Sequence, residues 1–210
     1  IYGMLVASLL WYKKLRKDME EIGFRFNPYD PCIANHKIHR SQHTIHFHVD
    51  DLMSSHCKKK VYDDFHKWLN KKYGTYGEVK CTRGKVHEYL GMTFDFTEKG
   101  KVKIHMKDYV ADMIDSFPEK IKGTNPYPAG HNMFAVDESP KLDKSKAEAF
   151  HTTVAKGLFV CKRARPDIQP AISILCTRVK APNESDWAKL IRLLQYLNGT
   201  RDEVLILSAD

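Results

Sequence analysis

Apolar residues recur at spacings of three and four through Leu5, Leu9, Tyr12, Leu15, Met19 and Ile22, which predicts an amphipathic helix closed by Gly23. Asn27-Pro28-Tyr29-Asp30-Pro31 then breaks regular structure, because two prolines so close remove donors and fix the backbone. Alternation over Cys32–Lys37 and His43–Val49 predicts two short strands joined by a polar turn. Asp50-Asp51 interrupts the second strand, and Leu52-Met53 returns as its hairpin partner. Val61, Phe65, Trp68 and Leu69 share one face of a helix expected over 59–73. Leu90, Met92, Phe94 and Phe96 alternate along a strand expected over 89–96. The turn Glu98-Lys99-Gly100-Lys101 leads to its partner, marked by Val102, Ile104 and Met106.

A short helix over 109–117 precedes a proline- and glycine-bearing stretch from Pro118 to Pro140. Beyond it the pattern is helical, over 145–161, 166–179 and 184–197. Pro166 sits at a first helical position, Asn183 or Ser185 caps the last helix, and Asn198-Gly199 ends it. The expected class is α+β: residues 1–118 mix strands and helices, 119–144 form a linker, and 145–210 are a small helical segment.

Length and composition fit a folded chain of one or two domains: 210 residues, 42% hydrophobic and 29% charged. No apolar run suits a bilayer, and Trp11, Tyr12, Lys13 and Lys14 cut short any signal-peptide core, so no membrane partner is expected. The chain opens on Ile1 and ends on Ser208-Ala209-Asp210, which reads as an internal piece of a longer polyprotein or multidomain chain. Thirty-four Lys and Arg against 26 Asp and Glu give a net charge of +8, which favours a polyanionic partner. Five scattered cysteines without a C-x-x-C pair fit a reducing intracellular compartment.

Phe47-His48-Val49-Asp50-Asp51 carries the most chemical information. Adjacent carboxylates at a hairpin tip repel unless water or a hard divalent cation screens them, and such cations take oxygen ligands. Two-metal phosphoryl transfer needs carboxylates so placed, with a third from elsewhere. A plain Asp-Asp turn is the alternative.

Val-Asp-Asp in an apolar strand pair followed by an amphipathic helix resembles motif C of reverse transcriptases. The resemblance extends over nearly the whole chain. Ile1-Tyr2-Gly3-Met4 through Trp11-Tyr12 resembles the L-Y-G-L-K-Q-A-P-R-A-W-Y segment of Ty/copia-type retrotransposon polymerases. Asp30-Pro31-Cys32 resembles their D-P-S/C-x-F element, and Tyr89-Leu90-Gly91-Met92 their F-L-G-I strand. Phe150 to Leu158 is similar to Y-R-S-L-V-G-S-L, and Arg165-Pro166-Asp167-Ile168 matches R-P-D-I. Trp187 through Leu197-Asn198-Gly199-Thr200 resembles W-x-A-x-R-V-L-R-Y-L-K-G-T.

The resemblance implies a right-hand polymerase palm over 1–118, then a helical thumb or connection segment leading toward an RNase H domain. Asp50 and Asp51 are then the catalytic metal ligands, for Mg2+ with Mn2+ as the alternative, together with a motif A aspartate. In this family that aspartate lies upstream of the first block, so the chain alone is expected to be inactive. His48 and Val49 are expected near the primer terminus, and Tyr89, Leu90, Gly91 and Met92 next to the primer grip. Implied partners are an RNA or DNA template with its primer, deoxynucleoside triphosphates, and the rest of a Pol polyprotein: fingers, RNase H and integrase. The implied location is intracellular, in a cytoplasmic virus-like particle or the nucleus. No nucleotide-binding residue is assigned.

Leu5-Val6 and Ser8-Leu9 replace the family's Lys-Gln and Pro-Arg, and His48 replaces its usual Tyr. A divergent active lineage, a decayed element and a domesticated, non-catalytic nucleic-acid-binding copy all fit these departures. Among the basic clusters, Lys162, Arg163 and Arg165 are expected to contact nucleic-acid backbone, because they gather ahead of a helix start. Lys58-Lys59-Lys60 and Lys71-Lys72 read as solvated helix faces. His46, His48 and Asp50 on one strand face would suit a metallo-phosphoesterase, although polar positions open to solvent account for most of the histidines from His36 to His48. Trp11, Trp68 and Trp187 are expected in the core.

Overall fold

The computed structural model describes residues 6–208. The block Ile1-Tyr2-Gly3-Met4 and Leu5, the first position of the helical stripe, lie outside them. The chain divides into two compact units, 1–83 and 84–210.

The first unit begins with α1 (Ala7–Glu21). Gly23 ends it at φ +95°, with Phe24 N–H donating to Met19 O and Gly23 N–H to Glu20 O. Both bonds satisfy carbonyls that the helix end would leave unpaired, and the left-handed backbone suits glycine. An antiparallel sheet follows in the order β1 (Arg25–Phe26), β2 (Ile33–Ile38), β3 (Ser41–His48), β4 (Asp51–Ser55). The Asn27–Pro31 segment turns the chain between β1 and β2 through Asn27 Oδ1 accepting from Tyr29 N–H (2.9 Å) and Asp30 Oδ1 from Cys32 N–H (2.9 Å). Helix α2 (Lys59–Tyr73) occupies the range its periodicity predicts and buries Val61, Phe65 and Leu69.

Alternation decides which side of β3 is buried. His43, Ile45 and Phe47 enter the core with Ala34, Leu15, Met19, Phe24, Phe65 and Leu69, while Gln42, Thr44, His46 and His48 take the other face. Asp18 of α1, itself buried, binds α2: its carboxylate meets Lys72 Nζ at 3.0 Å, Lys14 Nζ at 3.1 Å and Tyr73 Oη at 2.6 Å. Burial pushes the Asp18 carboxyl up, but the donors Tyr73, Lys72 and Lys14 outweigh it and bring the pKa down to about 2. The same burial and the Asp18 charge push the Tyr73 phenol upward.

The second unit holds an antiparallel sheet of β5 (Val86–Tyr89), β6 (Met92–Asp95), β7 (Lys101–His105) and β8 (Leu205–Ser208), with α3 (Lys107–Asp115), α4 (Lys144–Cys161), α5 (Gln169–Arg178) and α6 (Glu184–Gly199). Pro166 opens a short 3-10 turn, Pro166–Ile168, ahead of α5. Asn183 caps α6 in a capping box with Asp186. Leu190, Leu193, Leu194 and Leu197 line the buried side of α6.

Three readings are corrected. The strand expected over 89–96 is broken at Leu90-Gly91, where a two-residue turn folds β6 back on β5. Both turn residues have positive φ, the pattern of a type I′ hairpin, in which Gly91 is at ease and Leu90 is not. The division between the compact units falls at Arg83–Gly84, and residues 119–144 lie within the second. That segment is strapped along α6 by Glu119 accepting from Trp187 Nε1 (2.9 Å), Lys122 O from Gln195 Nε2 (2.9 Å) and Ala135 O from Lys189 Nζ (2.6 Å), with Met133 buried. Solvent does not explain most of the clustered histidines either: His39 and His48 are exposed, His36 and His46 half-buried, and His43 is fully buried. Trp187 is a core residue of the second unit, whereas Trp11 and Trp68, also expected in the core, are half-buried at the edge of the first unit's core.

The His43 ring lies edge-on to Phe24 and Phe65, with Nε2 2.9 Å from Ser54 Oγ. Burial, then the neighbouring His56 and His36, lower its pKa to about 4 from the ordinary 6.5. The neutral ring's contribution is complete above pH 6.5 and is lost as pH falls toward 4. The chain is therefore expected to be about 2 kcal/mol less stable to urea at pH 5 than at pH 7. A His43→Phe variant should lose most of that difference, and an unchanged pH dependence would contradict the assignment.

Candidate active site

The Asp pair sits at the tip of the β3–β4 hairpin. His48 pairs with Asp51 across the ladder, so the loop consists of Val49 and Asp50 alone. A loop this short needs a left-handed first residue if the strands are to keep their twist, and Val49 supplies it at φ +55°. For a β-branched residue that conformation is strained, by about 1–3 kcal/mol. His48, Val49, Asp50 and Asp51 are all exposed.

Helix α1 holds the tip from behind. Trp11 Nε1 donates to the carbonyl oxygen of Val49, and Tyr12 stacks on Phe47 with ring centroids 6.1 Å apart. The Trp11 ring also packs edge-on against Tyr73 at 5.1 Å. The Trp-Tyr dipeptide of the first sequence block therefore braces the hairpin that carries the carboxylates. Sequence reasoning placed Trp11 only as a packing residue; spacing along the chain gives no sign of a bond spanning 38 positions.

Among the described residues neither Asp50 nor Asp51 is ion-paired or hydrogen-bonded through its side chain, while most buried or capping carboxylates of the chain are. Two adjacent, solvated, unneutralised carboxylates are a hard-oxygen donor set of the kind divalent cations take, so these residues fit such an ion. They supply only part of a coordination shell. Among the described residues no three His, Cys, Asp or Glu side chains are grouped to hold a metal. The His46–His48–Asp50 triad accordingly does not form: His46 and His48 share a strand face, but Asp50 lies in the turn, outside the alternation.

The remaining candidates lie in the second unit. Tyr89, Leu90, Gly91 and Met92 form the β5–β6 turn, with Tyr89 buried. A Cβ on Gly91 would lie 3.5 Å from the ring of Phe159, so the turn rests on that ring. Phe159 also lies 5.1 Å from Tyr109 and carries the Arg163 guanidinium 3.6 Å from its centroid. The structure thus gathers Tyr89–Met92 and Arg163 around one phenylalanine that the sequence did not single out. Lys162 beside them is exposed.

Arg165 is a correction. It is 4% exposed, and its guanidinium is spent on Asp167 (3.0 and 2.8 Å) and on the carbonyl and hydroxyl of Thr200 (2.9 and 2.7 Å). Burial raises the Asp167 carboxyl, but hydrogen bonds from Arg165 and Tyr196 outweigh it and hold Asp167 below the ordinary range. With its donors occupied internally, Arg165 is an internal strut tying the R-P-D-I block to the end of α6 and does not face a phosphate.

Residues 1–130 match the family model described as reverse transcriptase (RNA-dependent DNA polymerase). The chain is 25% identical over 218 residues to a Ty5-1 transposon protein of Saccharomyces cerevisiae, an alignment covering 98% of this chain and 65% of that protein. It is 22% identical over 213 residues to a retrovirus-related Pol polyprotein from the tobacco transposon TNT 1-94, covering 98% of this chain and 16% of the relative. The chain thus spans less than two thirds of either relative's length. No solved structure matches it significantly. Among the described residues no helix is long and apolar enough to cross a membrane.

The strain at Val49 is testable. Asparagine tolerates positive φ far better than valine, so Val49→Asn is expected to raise unfolding stability by about 1 kcal/mol in urea titration. A destabilised variant would show that the valine side chain itself supports the tip.

Proposed function

The chain belongs to the reverse transcriptase (RNA-dependent DNA polymerase) family, and on that premise we propose that it carries the catalytic hairpin of a Ty/copia-type retrotransposon polymerase, with Asp50 and Asp51 as metal ligands. The observation that supports this reading best is the hairpin tip itself: two adjacent carboxylates, exposed and without partners, on a strained two-residue turn that α1 braces through Trp11. A turn with no other role would not need β-branched strain and a dedicated tryptophan behind it.

The parent reaction is template-directed nucleotidyl transfer, in which the primer 3′-oxygen attacks the α-phosphate of a deoxynucleoside triphosphate and pyrophosphate leaves. Asp50 and Asp51 would hold Mg2+, or Mn2+, as hard oxygen donors. When bound, the ion stabilises charge on the attacking and leaving oxygens. The protein's own part is positional: the two-residue loop fixes the spacing of the carboxylates, and the Trp11 and Tyr12 contacts keep the loop from shifting. On this reading His48 and Val49 are assigned to the primer end, Tyr89 to Met92 to the primer grip, and Lys162 with Arg163 to the nucleic-acid backbone. Residues 1–118 are assigned to the palm, 119–144 to a linking segment and 145–210 to the thumb or connection. Template, primer, nucleotides and the remainder of a Pol polyprotein are the partners, in an intracellular setting.

A non-catalytic nucleic-acid-binding copy is the second reading. It is favoured by the departures from the family pattern at Val6 and His48. The two separate in a complete polymerase carrying this chain. There Asp50→Asn is expected to lower metal-dependent primer extension at least ~100-fold, in line with loss of preorganised charge stabilisation, while primer–template binding stays within about twofold. Full activity in the variant would sink the catalytic assignment.

A further inference from the structure

The end of the first sheet opposite the Asp pair carries a second charged feature, of the reverse sign. Strand β1 is only two residues long and pairs with Ala34 and Asn35, so β2 runs on beyond it and projects with β3 as a free hairpin. The hollow left there has a volume of about 740 Å3 and is lined by Arg25, Lys37, Arg40, Asn35, Gln42 and, at its edge, His36 against Gly23. No carboxylate lines it. Arg25, Lys37 and Arg40 are exposed, and among the described residues none of them is ion-paired, whereas the lysines at 14, 72, 101, 107 and 146 all meet acids.

The polar groups between these cations are ordered. Asn35 Oδ1 accepts from both Gln42 Nε2 (2.9 Å) and Thr44 Oγ1 (2.8 Å), which occupies its oxygen, while among the described residues its amide nitrogen has no hydrogen-bond partner. A Cβ on Gly23 would lie 3.0 Å from the His36 ring, so the ring would have to give way, and the same ring packs edge-on against Phe24. The cross-strand pairs Arg25–Asn35, Asn35–Thr44 and Lys37–Gln42 share the sheet face that also carries His48 and Asp51. Gln42 and His48 are six residues apart on β3, about 20 Å along the strand, a distance that spans roughly six base pairs of duplex rise.

We infer that this hollow binds backbone phosphates of the nucleic acid whose reacting end lies at Asp50 and Asp51, so that one sheet face holds cations at one end and acids at the other. The inference rests on the polymerase reading and deepens it. Unpaired cations lining one hollow with an amide donor and no acid among them suit a phosphodiester, and the open shape suits a passing strand better than an enclosed small anion.

The test uses the 210-residue chain, a fluorescent primer–template duplex and anisotropy across a salt series. Arg25→Gln, Lys37→Gln and Arg40→Asn combined are expected to weaken binding at least tenfold and to flatten the slope of log K against log salt by one to two. Arg40→Asn alone should show part of this loss without any loss of stability, because φ at Arg40 is +67° and asparagine accepts it. Inorganic pyrophosphate is expected to compete no better than chloride at equal ionic strength. Wild-type affinity and slope in the triple variant would overturn the proposal while leaving the polymerase reading intact. Tight pyrophosphate binding abolished in that variant would assign the hollow to a free phosphate ligand and overturn it too. A wild-type chain that fails to bind the duplex at all would count against the polymerase reading itself.

Discussion

The register of β3 is the constraint on which the first unit depends. His43, Ile45 and Phe47 are buried on one side, so a slip of one residue would place Gln42, Thr44 and His46 in the core and expose Ile45 and Phe47. That cost fixes the pairing of His48 with Asp51, and the pairing in turn leaves two residues to close the loop. Val49 is forced to positive φ, and both aspartates emerge at a defined point on the tip. The carboxylate geometry is therefore set by hydrophobic burial several residues away rather than by contacts among the carboxylates, which have none.

The same register distributes charge along the open sheet face. Asp51 and His48 fall at one end, while Arg25 lies about 13 Å and Lys37 about 20 Å along the strands toward the other, where Arg40 closes the turn. Helices α1 and α2 bind the opposite side through Leu15, Met19, Phe65 and Leu69, and the buried Asp18 bridge to Lys72 and Tyr73 locks them to each other. Because α1 also carries Trp11 and Tyr12, the helix that completes the core is the one that holds the hairpin tip. Stability of the first unit and placement of the Asp pair are coupled through that single helix.

Much of this was legible in the chain. The period-two and period-3.6 patterns located α2, α4, α6 and the β3–β4 hairpin to within a residue or two, because each buries a regular stripe. Val-Asp-Asp stood out as a candidate site because adjacent acids at a hairpin tip need a reason, and the ordered blocks pointed to the family. What escaped was set by non-local pairing. Strand β8 is a short apolar run, Leu205-Ile206-Leu207, with no alternation, and it exists because β7 offers it an edge. The turn at Leu90-Gly91 was hidden because leucine is an unusual residue at positive φ, and burial of His43 because histidine in an alternating strand looks solvent-facing. Arg165 looked like a phosphate contact from its neighbours in sequence; Thr200, 35 positions on, is what occupies it. The hollow around Arg25, Lys37 and Arg40 joins three segments that no linear motif connects.

The central claim is that Asp50 and Asp51 are a divalent-cation site presented by the hairpin. Amide spectra of the isotopically labelled chain recorded with substoichiometric Mn2+ test it most directly. Selective broadening should centre on Val49, Asp50, Asp51 and Leu52, should be relieved by excess Mg2+, and should disappear in Asp50→Asn. Broadening centred elsewhere, or unchanged in that variant, would contradict the account.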